Sequence, residues 1–238
     1  MAVSCLGIEW LALSLSIRRM REVQRGVWHW EGPHPDWAGP ENEALRQRVG
    51  ADTEAPEAAR GLVSSYAIND GDRLLLIDPL AVPHELEALA ADREPVVLLT
   101  SPWHERDTRS LVERLDASVF TPPPDEDSPD VAWLMGGARS DAHLYSAGDR
   151  LPIGVEAFPG RLPNDLVLWI ESRRAVIAGD TLVDFGHGLE IPVEWLPQNM
   201  TREQVADGLE RLLDLPVEVV LATHGGPTDR AALCRAIA

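Results

Sequence analysis

The stretch PVVLLTSPWHERD, residues 95–107, joins an uninterrupted apolar run to a cluster of polar side chains. The apolar part, residues 95–100, is typical of a strand that is buried on both faces of a sheet. The polar part places one histidine, one arginine and two carboxylates directly after that strand. Because ligands of α/β sheets bind at the carboxyl ends of strands, the stretch predicts an α/β fold with a functional loop at this edge.

Two further polar segments follow apolar runs in the same way. Gly179-Asp180-Thr181 comes after residues 175–178 (AVIA), and THGGPT, residues 223–228, comes after residues 217–222 (VEVVLA). One polar strand end would indicate only a turn. Three of them that carry His and Asp predict a shared site where the strand ends meet.

Strands and helices alternate along the rest of the chain. Two β-rich runs, residues 64–68 and 74–77, flank Asn69-Asp70-Gly71-Asp72, which is a strong hairpin signal. Apolar spacing and capping residues predict helices within residues 83–92, 108–115, 201–213 and 228–238, and further strands at 27–30, 119–120, 155–158 and 165–170. Thr201 is expected to cap the third helix. The alternation predicts one α/β domain with two mixed sheets faced by helices.

Composition narrows the class of function. A chain of 238 residues can bury a layered core without disulfide bonds. Its 39 acidic and 21 basic residues give a net charge of −18, which disfavours nucleic acid and anionic membranes as partners, and therefore nuclease activity. Cys5 and Cys234 form neither a metal-spaced pair nor a disulfide framework, so a cytoplasmic location is expected. The remaining classes of function are an enzyme that acts on a small molecule and a protein that binds one.

The N-terminal residues do not have the pattern of a secretory signal. Residues 2–17 are mostly apolar and precede Arg18, Arg19 and Arg21, which is the reverse of the order in a secretory signal. The run is also short for a membrane span. We therefore expect translation to start at Met20, which makes residues 1–19 a doubtful extension and residues 20–238 a single domain. An anchor or a docking helix is the other interpretation of residues 1–19.

The order of the segments resembles that of the metallo-β-lactamase superfamily. Leu76-Ile77-Asp78-Pro79 is similar to the end of the family's opening hairpin, and residues 95–100 are similar to the strand before its HxHxDH metal loop. Residues 178–182 (AGDTL) resemble the turn whose Asp bridges two metal ions, and residues 222–228 resemble the loop whose His completes the second metal site. The resemblance spans Gly26 to the C terminus. It implies an αββα sandwich of two mixed β-sheets flanked by helices, and a metal-dependent hydrolase.

The metal motif departs from the family pattern. Its four positions are Pro102, His104, Arg106 and Asp107 in one register, and Ser101, Trp103, Glu105 and Arg106 in the other. Residues 158–163 (FPGRLP) resemble the family's PGHTPG segment, but Arg161 stands where that segment has His. The usual pair of metal ions needs about six protein ligands, and this chain lacks several of them.

Two functions fit these residues. The first is a hydrolase of a small ester, thioester or lactone with a single divalent ion, zinc in the first place and iron or manganese as alternatives. Its metal ligands would be His104, Asp107, Asp180 and His224. The ion would activate a water molecule, and Asp107 or Glu105 would accept the proton. Asp78 and Thr181 would hold the ligands in place, and Trp103 would line the substrate cleft.

The second function is metal-free binding of a small anion. Arg106 and Arg161 fall where metal ligands are expected, and a guanidinium suits a carboxylate or phosphate through paired hydrogen bonds. The arginines could also pair with Asp107 and Asp180 and so replace the charge of the metal. Purely structural roles remain open, since Asp107 is placed to cap the helix at Thr108 and Asp180 to cap its own turn.

Overall fold

The computed structural model describes residues 19–34, 61–124 and 142–238. The doubtful N-terminal extension lies outside this part of the chain except for Arg19. The acid-rich stretch of residues 41–59 and Trp37 lie outside it as well.

The first sheet has seven strands in sequence order. They are β1 (Arg21–Gln24), β2 (Val27–Pro33), β3 (Leu62–Asp70), β4 (Arg73–Ile77), β5 (Glu94–Leu98), β6 (Ser118–Thr121) and β7 (Ala142–Leu144). Strands β1 to β4 are antiparallel to one another, and β4 to β7 are parallel. The predicted hairpin is confirmed, with Asp70 paired to Arg73 across Gly71-Asp72. Gly71 has φ +70°, a conformation that glycine adopts without strain.

The second sheet has six strands. They are β8 (Arg150–Leu151), β9 (Val155–Leu162), β10 (Asp165–Ile170), β11 (Ala175–Ile177), β12 (Val219–Leu221) and β13 (Pro227–Thr228), in the order β13-β12-β11-β10-β9-β8. Only β11 and β12 are parallel. Both sheets are therefore mixed, as the alternation of elements predicts.

Helices cover the outer face of each sheet. On the first sheet lie α1 (Leu86–Ala90) and α2 (Thr108–Leu115), and on the second lie α3 (Arg202–Leu209) and α4 (Arg230–Ile237). Strand β10 shows why the layers form, because Leu166 and Leu168 point into the core between the sheets while Val167 and Trp169 point toward α3 and α4. The predicted αββα sandwich is confirmed.

Local sequence signals predict some bounds of the helices and strands correctly and others incorrectly. Thr201 caps α3 as predicted, since its hydroxyl accepts a bond from the Gln204 amide and the Gln204 side chain accepts one from the Thr201 amide. The α-helix ends at Leu209 rather than at residue 213, and the chain continues as a 3-10 turn, Glu210–Asp214. Such turns are common at helix ends, and this one keeps Leu212 buried against the second sheet.

Hydrogen bonds join the two sheets near the carboxyl ends of β5, β11 and β12. The Leu166 amide donates to the Thr100 carbonyl (2.9 Å), and the Ser64 amide donates to the Thr223 carbonyl (2.8 Å). The buried Tyr66 hydroxyl donates to the Ala222 carbonyl at 2.6 Å. These bonds bring the three polar strand ends to one edge of the sandwich. Within the described ranges, no helix has both the length and the apolar character to cross a membrane.

Candidate functional site

His104 lies at the centre of this edge. It ends the 3-10 turn Pro102–His104 that follows β5, and only 3% of it is exposed. Its Nδ1 atom lies 3.1 Å from Oδ2 of Asp78 and 3.0 Å from the Thr100 hydroxyl. Its Nε2 atom lies 3.3 Å from Oδ1 of Asp180. One imidazole thus connects the loop after β4 with the loop after β11.

Two carboxylates set the protonation state of His104. Burial and the charge of Arg106 disfavour the imidazolium, but Asp180 and Asp78 outweigh them and raise the pKa of His104 to about 9. His104 is therefore a buried cation at neutral pH. Both ring nitrogens then carry protons and face carboxylate oxygens.

Asp78 ties three segments together. Its Oδ1 accepts the Thr100 amide (2.9 Å), and its Oδ2 accepts the hydroxyls of Thr100 (2.7 Å) and Thr223 (3.4 Å). Although burial alone would raise the pKa of Asp78, His104 and Arg106 lower it below its ordinary value. The φ of Asp78 is +42°, an uncommon conformation for a residue other than glycine. Asp78 thus orients both His104 and the loop of residues 222–228.

Asp180 receives contacts from both sheets. Its Oδ2 accepts the Trp103 indole N–H (3.1 Å) and an Nη2–H of Arg161 (3.4 Å), and its Oδ1 lies near the Nε2 atoms of His104 (3.3 Å) and His224 (3.5 Å). Burial opposes ionisation, but His104 lowers the pKa of Asp180 well below the usual range. Asp180 is consequently an anion whose charge is already matched by side chains.

Arg161 occupies the space in front of Asp180. Its Nε atom lies 2.9 Å from Oδ2 of Asp165, and its Nη1 donates to the Trp195 carbonyl (3.1 Å). The rings of Trp103 and Trp195 each have their centroid 5.7 Å from the guanidinium carbon. Cation–π contacts with two rings and ion pairs with two carboxylates fix this side chain in place.

Asp165 is a site residue that the sequence interpretation missed. It is fully buried at the start of β10, and it accepts the Thr181 hydroxyl (3.1 Å) and the Asp180 amide (3.3 Å). Burial and the charge of Asp180 raise the pKa of Asp165 to about 7, although Arg161 opposes the shift. The sequence does contain a signal for this role, since Asp165 directly precedes the apolar run of residues 166–170. A carboxylate that is buried together with such a run needs a charged or hydrogen-bonding partner.

His224 lies in an aromatic setting. Its ring stacks on His34 at 5.8 Å, meets Trp195 edge-on at 5.2 Å and is tilted against Phe185 at 5.9 Å. Its carbonyl accepts the Asp184 amide (2.9 Å), which holds the loop of residues 222–228 against the segment after the GDTL turn. The chain therefore builds an aromatic wall beside the ion pairs.

The remaining predicted residues lie at the border of the site. The carboxylate of Asp107 accepts the Val82 amide (3.1 Å), so it supports the segment between β4 and α1. Arg106 donates from Nη1 to the Asp78 carbonyl (3.0 Å). Glu105 is half-buried, and its carbonyl accepts the Thr108 amide at the start of α2. The Thr181 hydroxyl accepts the Arg161 amide (3.0 Å) and donates to Asp165 (3.1 Å).

Comparison with solved structures places this arrangement in a known fold. The chain superimposes on a metallo-β-lactamase from Hirschia baltica with a TM-score of 0.56 at 14% identity, covering 92% of this chain and 95% of that one. An archaeal metallo-β-lactamase superfamily protein from Sulfolobus tokodaii gives 0.54 at 13% identity, over 73% of this chain and 78% of the other. ETHE1 from Myxococcus xanthus gives 0.51 at 23% identity, over 73% and 77%.

The chain has the metallo-β-lactamase fold. No protein-family model and no curated protein matches it. At these identities the structural likeness shows the fold alone.

The residues present do not fit the metal centre that the metallo-β-lactamase fold suggests. Among the described residues, no group of three or more His, Cys, Asp and Glu side chains has the geometry to hold a metal ion. The guanidinium of Arg161 lies against Asp165 and Asp180. A divalent ion at Asp180 would be repelled by this fixed cation.

Proposed function

We propose that this chain is a metal-independent member of the metallo-β-lactamase fold that binds a small organic anion at the Arg161 cleft. The observation that carries this proposal is the position of Arg161. Its guanidinium is ion-paired with Asp165 and Asp180 and lies between Trp103 and Trp195. It places a fixed cation where a metal-dependent hydrolase of this fold would need a ligand.

Local charge supports an anionic ligand. At pH 7 the contacting groups contribute three cations, from His104, Arg106 and Arg161. They lie among the buried carboxylates of Asp78, Asp165 and Asp180, and the raised pKa of Asp165, about 7, reduces the negative charge there near neutral pH. These fixed cations favour a carboxylate or phosphate as the ligand, within a chain whose net charge is −18.

The cleft walls favour a ligand that also has an apolar part. Trp103 and Trp195 flank the guanidinium, and Phe185 packs edge-on against Trp195 at 5.5 Å. Aromatic surfaces next to a fixed arginine are suited to a carboxylate on a flat hydrocarbon or ring. An aromatic carboxylate such as benzoate is therefore the first probe, and inorganic phosphate tests the charge alone.

The competing function is the single-metal hydrolase. It requires an activated water and a group that can accept its proton. The predicted proton acceptors, Asp107 and Glu105, lie at the border of the site, and the Asp107 carboxylate accepts the Val82 amide. Oδ2 of Asp180 is paired with the Trp103 indole and with Arg161. These contacts do not favour the hydrolase. Hydrolysis of a small ester or lactone is nevertheless the outcome that would replace our proposal.

Metal content and ligand-induced stabilisation test the proposal together. The protein, purified without chelator, is analysed by elemental mass spectrometry, and its thermal unfolding is followed with EDTA, benzoate or phosphate. We expect substoichiometric metal, no effect of EDTA, and a rise in Tm with benzoate that is larger at pH 6 than at pH 8 because Asp165 gains a proton. Arg161→Gln should lose the benzoate response.

Arg150→Gln is the matched control, because Arg150 pairs with Glu156 at the start of β9, whereas Arg161 lies near the end of that strand; it should leave the benzoate response intact. Stoichiometric zinc, iron or manganese in the wild type would overturn the proposal. So would hydrolysis of p-nitrophenyl acetate or a simple lactone that disappears in Asp180→Asn.

A further inference from the structure

The carboxylates of Asp165 and Asp180 face one another across a single guanidinium. Oδ2 of Asp165 lies 2.9 Å from Nε of Arg161, and Oδ2 of Asp180 lies 3.4 Å from Nη2. The Asp180 amide donates to Oδ1 of Asp165 at 3.3 Å, which fixes the two carboxyl groups close together. Both are buried, so the repulsion between them would be strong without a cation between them.

We propose that Arg161 serves as a built-in substitute for a divalent cation, and that Asp165 and Asp180 form a latent cation site which opens when the arginine is removed. This inference rests on the proposed metal independence of the wild type, but the variants below test it separately. Its basis is the disagreement between a fold that suggests metal ions and a cleft that supplies side-chain cations.

The donor atoms indicate which ion would enter. The atoms around the guanidinium are the carboxylate oxygens of Asp165 and Asp180, and the Thr181 hydroxyl lies 3.1 Å from Asp165. Hard oxygen donors suit Mn²⁺ or Mg²⁺ better than a soft ion. Removing the guanidinium would also leave room for the water molecules that such ions retain.

The contacts of Arg161 with Trp103 and Trp195 explain why the wild type would not exchange the guanidinium for a metal ion. The guanidinium carbon of Arg161 lies 5.7 Å from the ring centroids of Trp103 and Trp195, and Nη1 donates to the Trp195 carbonyl. Its side chain is 12% exposed. Because the cation is covalently part of the chain, its local concentration does not depend on free metal. A dissolved ion would have to displace it from two carboxylates and two rings at once.

The first experiment compares metal binding by the wild type and by Arg161→Gln. Thermal unfolding is measured with EDTA and with 1 mM MnCl₂ or MgCl₂, and bound Mn²⁺ is quantified by equilibrium dialysis. We expect about one Mn²⁺ per variant chain and none per wild-type chain. Mn²⁺ at about one hundred times its Kd should raise the Tm of the variant by about 5 °C or more, with no shift for the wild type.

A double variant distinguishes a cation site from general damage. Arg161→Gln with Asp165→Asn removes one carboxylate charge along with the arginine. It should be more stable than Arg161→Gln in EDTA and should lose the Mn²⁺ response. Arg150→Gln removes an exposed arginine from the buried carboxylate of Glu156, and it should show no Mn²⁺ response.

Each outcome decides the inference. A metal-free wild type together with an Arg161→Gln protein that binds no Mn²⁺ would overturn it and leave the proposed function intact. Equal Mn²⁺ binding by the double variant would also overturn it, because the carboxylate pair would then be unnecessary. Metal in the wild type as purified would refute the proposed function itself. If Arg161→Gln folds only on refolding with Mn²⁺, that result supports the inference, and failure to refold with Mn²⁺ counts against it.

Discussion

The imidazole Nε2 of His104 lies 3.3 Å from Oδ1 of Asp180, and this contact joins a loop of the first sheet to a loop of the second. The other ring nitrogen lies 3.1 Å from Asp78. A buried cation between two buried carboxylates is stabilising only while all three are present, since removal of one leaves an uncompensated charge. The site is therefore part of what holds the two sheets together.

Replacing His104 by Ala should strongly destabilise the fold. Asp78 would lose the imidazolium that it faces and Asp180 would keep only the ion pair with Arg161, and breaking such a buried arrangement costs about 3–5 kcal/mol. Urea unfolding at pH 7 measures the change. His84→Ala is the control, because the His84 side chain is 91% exposed and pairs only with neighbouring Glu85; its effect should stay within about 0.5 kcal/mol. A similar loss in both variants would contradict the role given to His104.

Stability should fall as the pH rises from 7 to 9. The pKa of His104 is about 9 in the folded protein and 6.5 in an unfolded chain, so the folded state holds this proton more tightly. The stabilisation is complete below pH 6.5 and is lost as the pH rises through 9, a change on the order of 3 kcal/mol. Urea unfolding at several pH values should show this slope in the wild type, and His104→Gln should lack it.

Two other groups change the stability of the fold mainly below pH 7. Burial, followed by the charge of Arg21, lowers the pKa of His29 to about 4, so His29 makes stability rise between pH 4 and 6.5. Asp165, with a raised pKa of about 7, makes stability fall between pH 4 and 7. These opposing effects overlap, whereas His104 is the group expected to dominate from pH 7 to 9.

Removing the Tyr66 hydroxyl should loosen the loop of residues 222–228. In Tyr66→Phe the Ala222 carbonyl loses its buried donor, at a cost of about 1–3 kcal/mol. Chemical denaturation gives the change in the free energy of unfolding, and NMR should show shifts at His224 more than at His84. Unchanged stability together with unchanged His224 signals would refute this role for the bond between the sheets.

Gly160→Ala should distort the site, because the added Cβ atom overlaps with neighbouring atoms. A Cβ atom at this position would collide with the Asp165 carbonyl oxygen and the Thr181 hydroxyl, which flank Arg161. Forcing extra volume into such a packed region costs about 1–3 kcal/mol. The matched control is Gly226→Ala, since a Cβ there meets open space. Thermal unfolding of the two variants checks the difference, and equal Tm values would be the contrary result.

Much of the fold followed from local pattern. The bounds of β10, residues 165–170, and of α2, residues 108–115, were predicted as observed, because an apolar run and an amphipathic period each specify one kind of element. The capping box at Thr201 was also readable, since it involves residues only three apart. Less of the site could be predicted, because its partners come from distant parts of the chain.

The convergence of His104, Asp180 and His224 could be predicted from the rule that strand ends meet at one sheet edge, but their partners could not. Trp103 bonds to Asp180, which is 77 residues away, and Arg161 bonds to Trp195, 34 residues away. Asp165 and Trp195 carried no motif. Their roles depend on which face of a strand meets which loop after the two sheets pack.

The sequence by itself determined the two mixed sheets, their helices and the edge at which polar residues gather, because burial and periodicity are local properties of the chain. Tertiary structure alone decided the charge state of that edge. Burial of His104 between Asp78 and Asp180, and of Asp165 beside Arg161, sets which groups are ionised. Desolvation and charge–charge energies depend on three-dimensional distances, so the same residues could hold a metal in one packing and exclude it in another.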